Sequence, residues 1–236
     1  MAQQFTHPFI YQTDSYKPGH WPDYPDETVG VYSYWESRNG ADYPYTEVFG
    51  IQGVLKQHLE GVVVTQEDIE DADAFFAQHF GDATIFNRKG WERIVNVHGG
   101  KLPLHIKAVK EGMRIPTSNV IMTVENTDPE CYWLTNYAES LLTHIWYPST
   151  VATRSASVRD MIVAAVLESG GTAEDANFML HDFGFRGVET TDAGGIGGAG
   201  HLLNFLGTDT LPALYFIRKL YGMGDECVGF SVVATE

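Results

Sequence analysis

Between residues 180 and 210 the chain sets side chains that can do chemistry into a background of glycine. His181, Asp182, Arg186, Asp192, His201 and Asp209 stand within the runs L-H-D-F-G-F-R-G-V, A-G-G-I-G-G-A-G-H and N-F-L-G-T-D-T. Glycine lets backbone approach a ligand closely and take positive φ. Arg186 offers a planar fork of donors that fits phosphate or carboxylate. Phe183 and Phe185 offer flat faces to an aromatic ring. These residue types describe a pocket for a flat ring beside an anionic group. The alternative is a glycine-rich connection between helices with internally satisfied polar residues, and on that reading Phe183 is plain core. His181 and Asp182 do not read as an acid/base pair, because neighbours on a strand point to opposite faces. The histidines show no H-x-x-x-H or comparable spacing, so no metal site built by the protein is expected.

Residues 195–200 match G-x-G-x-x-G. A dinucleotide site needs a buried strand directly before such a run, and Thr190-Thr191-Asp192-Ala193 is a poor one. The glycines read better as a helix start that comes close to a ligand or to another helix.

The elements that must hold these residues follow from periodicity and punctuation. Residues 1–27 are rich in Pro, Tyr and His and read as irregular, with Thr13-Asp14 able to cap a short helix before Pro18-Gly19. A strand is expected over 28–37. Val48, Ile51, Leu55 and Leu59 recur at helical spacing. Thr65 with Asp68 opens a second helix that Gly81 closes, and a third runs from Asn87 to Gly99-Gly100. Strands are expected near 102–108 and 119–124. Asp128-Pro129 opens a buried helix reaching Trp146, and another helix covers 155–169. A buried strand is expected over 178–183, which would place Arg186 beyond a strand's C-terminal end. Thr210-Leu211-Pro212 opens a last helix, and 228–234 reads as a final strand. The fold class is α/β: an N-terminal α+β region over 1–150, then the first part of a β/α barrel over 151–236.

Composition narrows the function classes. The 236 residues are 44% hydrophobic and 13% aromatic, as in a folded globular protein. A net charge of −16 argues against nucleic-acid or anionic-membrane partners, which need basic surface. A few local arginines can still hold a phosphorylated small molecule. Two cysteines, Cys131 and Cys227, give no disulfide framework. No apolar run reaches membrane-spanning length. The N-terminus lacks a charged region followed by an apolar core, so a cytoplasmic protein is expected.

Several long motifs resemble nicotinamide phosphoribosyltransferases. They are T-D-S-Y-K at 13–17, Y-S-Y-W-E-S-R at 32–38, E-N-T-D-P-E-C-Y-W-L-T-N at 125–136, H-D-F-G-F-R-G-V at 181–188 and N-F-L-G-T-D-T at 204–210. They occur in the family's order and span nearly all of the chain. The family's chains are considerably longer, and its pattern continues with a histidine beyond Glu236. The resemblance implies a barrel-like phosphoribosyltransferase domain with an added α/β layer. It implies transfer of phosphoribosyl from phosphoribosyl pyrophosphate to nicotinamide, with Mg2+ accompanying the pyrophosphate and ATP as a further candidate. Phe183 and Tyr16 match residues that stack on the two faces of the substrate ring, Asp209 matches the aspartate that accepts a hydrogen bond from the carboxamide, and Asp14 matches a position near the substrate. Arg186 and Arg38 match arginines of the phosphate region. The family works as a homodimer, with Tyr16 and Arg38 then coming from the neighbouring subunit. No catalytic residue is assigned, because the family histidine would follow Glu236. The rival readings are a nicotinate phosphoribosyltransferase, a split enzyme completed by a C-terminal polypeptide, and a non-catalytic binding module.

Overall fold

The computed structural model describes residues 7–222. They form two compact units, each assembled from separate stretches of chain. The first takes the described residues up to Trp35, with Val54–Ala108 and Met122–His144; the second takes Glu36–Gly53, Val109–Ile121 and the described residues from Ile145. In chain order the elements are β1 (Tyr32–Glu36), β2 (Tyr45–Glu47), α1 (Ile51–His58), α2 (Gln66–Phe80), α3 (Arg88–His98), β3 (Leu104–Ala108), β4 (Arg114–Pro116), β5 (Val120–Asn126), α4 (Leu134–Tyr137), α5 (Glu139–Thr143), α6 (Trp146–Glu168), α7 (Thr191–His201) and α8 (Leu211–Leu220). This mixture of helix and sheet is the expected α/β class. The strand expected at 228–234, and Cys227, lie outside the described residues.

The first unit is built around aromatic rings. Trp91 of α3 meets Trp133 at 4.8 Å, Tyr137 at 4.9 Å and Phe9 at 6.0 Å, mostly edge to face, the geometry aromatic quadrupoles favour. α2 starts as expected: the Thr65 hydroxyl accepts from the Asp68 N–H, and the Asp68 carboxylate accepts from the Thr65 N–H. Gly81 ends it at φ +67°, a left-handed position that a Cβ would strain. Asn87 caps α3 by accepting from the Gly90 N–H at 3.1 Å. β1, β5 and β3 form a sheet in that order, with β3 antiparallel to β5 and Leu104 opposite Asn126.

In the second unit, β2 pairs antiparallel with β4. α7 packs against α6 and α8, around a core that includes Phe49, Ala152, Ala199, Ala213 and Ile217. The glycines of 195–200 lie inside α7, and their role is close helix packing. A Cβ at Gly200 would stand 2.7 Å from the Pro148 carbonyl oxygen; one at Gly198 would stand 2.8 Å from the Ala213 Cβ. Helix propensity favours alanine over glycine by about 1 kcal/mol, but backbone at 2.7 Å cannot give way as a side chain can. We expect Gly200→Ala to lower unfolding free energy by a net ~1–2 kcal/mol, measured by urea titration. A gain in stability would show that α6 and α7 can move apart freely.

Three expectations need correction. The helix expected from Pro129 to Trp146 is broken into a 3-10 turn (Pro129–Cys131), α4 and α5. Pro148 explains the restart: its ring would clash with the carbonyl four residues back in a continuous helix, whereas in the first turn of α6 its missing N–H costs nothing. The next helix consequently starts at Trp146 rather than at 155. The buried strand expected over 178–183 is absent. Thr172 and Asp175 form a capping box that opens a 3-10 helix, Ala173–Phe178, and Phe178 and Met179 are exposed. What remains of strand is one parallel bridge, Asp182 to Thr208. In the N-terminal region, Thr13-Asp14 caps no helix; the 3-10 turn Lys17–Gly19 has Tyr16 at its N-cap without a side-chain cap bond.

Candidate functional site

The parallel bridge organises the chemistry of the second unit. The Asp182 N–H donates to the Gly207 carbonyl at 3.2 Å, and the Asp209 N–H donates to the Asp182 carbonyl at 2.7 Å. Parallel neighbours in register share a face, and successive residues alternate. His181, Phe183 and Asp209 therefore share one face, while Asp182 and the buried Thr208 take the other. The contacts agree: His181 Nε2 lies 3.1 Å from Asp209 Oδ2, at an angle outside hydrogen-bond geometry. Gly207 makes this possible, since a Cβ there would stand 2.3 Å from His181 Nδ1.

Phe183 is 73% exposed, so it is not core. Burial of a phenylalanine ring is worth ~2 kcal/mol, and the fold of this unit leaves that burial unmade. Beyond it, the Gly184 N–H donates to Asp182 Oδ1 at 2.9 Å, which bends the chain into the 3-10 turn Phe185–Gly187. Arg186 sits exposed in that turn, not past the end of a strand as the sequence suggested. Asp209 is exposed one residue before Thr210, the N-cap of α8. Phe183, Arg186 and Asp209 thus share two neighbouring segments of one unit. Arg38 belongs to the same unit and lies exposed two residues past β1.

Beneath this surface His201 is buried on α7. Its Nδ1 lies 3.0 Å from Ser155 Oγ, and its ring stacks on Phe205 at 5.1 Å. Burial pushes its pKa down, against the opposing charge of Asp182.

Asp14 and Tyr16 belong to the first unit. Tyr16 is 59% exposed. Asp14 accepts a hydrogen bond from the Ser140 hydroxyl through Oδ2 and donates its backbone N–H to the same oxygen of Ser140 at 3.3 Å. Partial burial, then the charges of Asp14 and Glu139, raise the Tyr16 phenol pKa. Sequence reasoning missed the support behind these two residues: Lys17, Asn136, Glu139 and Ser140. Lys17 closes the T-D-S-Y-K motif and Asn136 closes the 125–136 motif, which was the available signal.

Among the described residues, one group of three potential metal ligands has its ligand atoms within 4.8 Å: His98, Asp128 and Cys131. It does not suit Mg2+, which takes oxygen ligands in octahedral array. Asp128 Oδ2 already receives Arg93 Nε at 2.7 Å and faces His98 Nε2 at 2.6 Å, and burial pushes the Cys131 thiol up to about 12. This cluster joins elements of the first unit.

Residues 8–106 match a family model described as nicotinamide phosphoribosyltransferase, N-terminal domain. The chain is 44% identical over 228 residues to a nicotinamide phosphoribosyltransferase of Xanthomonas campestris pv. campestris, an alignment covering 96% of this chain and 47% of that one. It is 31% identical to the nicotinamide phosphoribosyltransferase of Acinetobacter baylyi, covering 94% of this chain and 46% of the relative. The chain spans about half the length of the curated relatives it matches. Its fold is similar to the crystal structure of human nicotinic acid phosphoribosyltransferase, with a TM-score of 0.61 over 95% of this chain and 39% of that one, at 14% identity. That likeness concerns the fold and agrees with the expected mixture of helix and sheet. No helix among the described residues is long and apolar enough to cross a membrane.

Proposed function

We propose, from a chain that resembles the N-terminal part of nicotinamide phosphoribosyltransferases over nearly all of its length, that this protein takes part in transferring phosphoribosyl from phosphoribosyl pyrophosphate to nicotinamide, giving nicotinamide mononucleotide and pyrophosphate. The observation that carries the reading within the structure is Phe183, a large ring left 73% exposed beside Asp182, whose bridge partner Thr208 precedes Asp209. Phe183 would stack on the nicotinamide ring and Asp209 would accept from its amide N–H. Arg186 supplies a guanidinium fork to phosphate. In the assembled protein, Tyr16 and Arg38 come from a second copy, with Tyr16 on the opposite face of the ring, Arg38 on phosphate and Asp14 near the substrate. Because the chain spans about half its relatives' length, the reaction is proposed for the complete assembly, a homodimer or a pair with a complementing C-terminal polypeptide, in the cytoplasm.

The ring nitrogen attacks the ribose C1 as the bond to pyrophosphate oxygen breaks, through an oxocarbenium-like transition state. Positioning and charge stabilisation then do most of the catalysis. Mg2+ bound to the pyrophosphate supplies charge neutralisation, and ATP is a further candidate ligand; no described residue cluster suits the metal, so no residue is assigned to it. The test is turnover of nicotinamide against nicotinate with phosphoribosyl pyrophosphate. Phe183→Ala should raise the nicotinamide KM by about 10- to 100-fold, with Phe183→Tyr close to wild type. An unchanged KM in Phe183→Ala would remove this ring from the site, and a preference for nicotinate would favour the rival activity.

A further inference from the structure

Lys17 is 5% exposed in a 3-10 turn at the surface of the first unit. A lysine is almost never fully buried unless paired. Its Nζ donates to Asn136 Oδ1 at 2.7 Å and forms a close ion pair with the Glu139 carboxylate. Nζ also lies 5.6 Å from the centroid of the Tyr16 ring. The same Asn136 reaches back on the other side: its Nδ2 is 3.0 Å from His20 Nδ1, and the His20 ring lies 5.4 Å from the Tyr16 ring. Tyr16 is thus flanked by an ammonium and an imidazole, both held by Asn136. Its hydroxyl lies 3.5 Å from Asp14 Oδ2, which Ser140 holds in turn.

Asn136 and Glu139 satisfy the buried charge and also fix where it sits relative to the Tyr16 ring. Apolar residues of similar volume often replace buried ion pairs at no loss of stability. What this charge faces, beside its two partners, is the Tyr16 ring. A cation within about 6 Å of an aromatic face is attracted to the ring quadrupole. An exposed tyrosine otherwise samples several rotamers, and ordering it on binding weakens affinity. We propose that Lys17 is a positioning residue, which with Asn136 and His20 holds the exposed Tyr16 ring ready to stack on a flat, uncharged aromatic substrate. This rests on the proposed function, in which Tyr16 covers one face of nicotinamide.

A double-mutant cycle on Tyr16 and Lys17 in the active protein tests it, because a merely structural lysine would not couple to Tyr16 in substrate affinity. Tyr16→Ala and Lys17→Met should each raise the nicotinamide KM by about tenfold, the size expected from the ordering of one side chain. In the Tyr16→Ala background, Lys17→Met should add nothing to KM, and Lys17→Arg in the wild-type background should recover most of the affinity. If Lys17→Met folds poorly, Glu139→Gln serves instead: the exposed partner is changed, Lys17 stays, and a smaller KM rise should again vanish without Tyr16. A full additive rise in the double variant, or no rise in Lys17→Met alone, overturns the positioning role while leaving the stacking reading intact. An unchanged KM in Tyr16→Ala overturns the stacking reading and this proposal with it.

Discussion

Asp128→Ala should destabilise the protein by about 2–4 kcal/mol, the range for removing one partner of a buried, hydrogen-bonded charge cluster. Asp128 is 5% exposed. It accepts from Arg93 Nε at 2.7 Å, faces His98 Nε2 at 2.6 Å, and caps the following turn by accepting from the Glu130 N–H at 3.0 Å. One carboxylate therefore joins α3 to the start of the segment that carries Asn136 and Glu139. The Arg93 hydrogen bond is the largest cause holding the carboxyl pKa at about 2, against the opposing effect of burial and with help from His98 and the Glu130 N–H. The folded pKa lies below the ordinary 3.8. The contribution is therefore fully present above pH ~4 and is lost as pH falls through ~2. Denaturant unfolding at a series of pH values checks both parts. Wild type should lose stability on acidification across that window, and Asp128→Asn should show less of this loss. Equal acid sensitivity in Asp128→Asn would mean that other carboxylates carry it.

The cluster also illustrates what sequence reading could reach. Thr65 with Asp68, Asn87 before Trp91, and Gly81 and Gly99 after their helices were legible, because each signal is a hydrogen bond or a backbone conformation within a few residues. Asp128-Pro129 was legible as a start, and the Asp128 side chain does cap the turn. The length of what followed was misread, since an apolar run without period says nothing about where a proline will force a restart. The missing strand at 178–183 is the same failure in reverse: F-M-L looks buried, yet the capping box at Thr172 and Asp175, of the kind already recognised at Thr65, takes the chain into a 3-10 helix first. β2 and β4 are three residues each, too short for alternation to register. At the candidate site, glycine density drew attention to 180–210, but the glycines of 195–200 serve close helix packing inside α7. Lys17 was not legible: its partner Asn136 lies 119 positions away, and a lysine in a polar motif looks solvated until the fold covers it.

Asp209→Asn should collapse the discrimination between nicotinamide and nicotinate. In the proposed reaction, the Asp209 carboxylate accepts from the neutral carboxamide and would meet the carboxylate of nicotinate charge to charge. A site built around such a hydrogen bond discriminates by on the order of 10⁴-fold, since like charges brought together away from bulk water repel strongly. The backbone of Asp209 is held in place. Its backbone N–H is fixed to the Asp182 carbonyl at 2.7 Å, and one carboxylate oxygen stands 3.1 Å from His181 Nε2. Asparagine keeps the shape, can donate as well as accept, and carries no charge, so nicotinate gains while nicotinamide loses. We expect the ratio of kcat/KM for nicotinamide over nicotinate to fall by about 100-fold or more in the variant. His181→Asn is the companion measurement, because the ring flanks the same oxygen, and its loss should shift the ratio less than Asp209→Asn does. If the ratio is the same in wild type and Asp209→Asn, the carboxylate is a structural acid ahead of α8, and the amide must be recognised elsewhere.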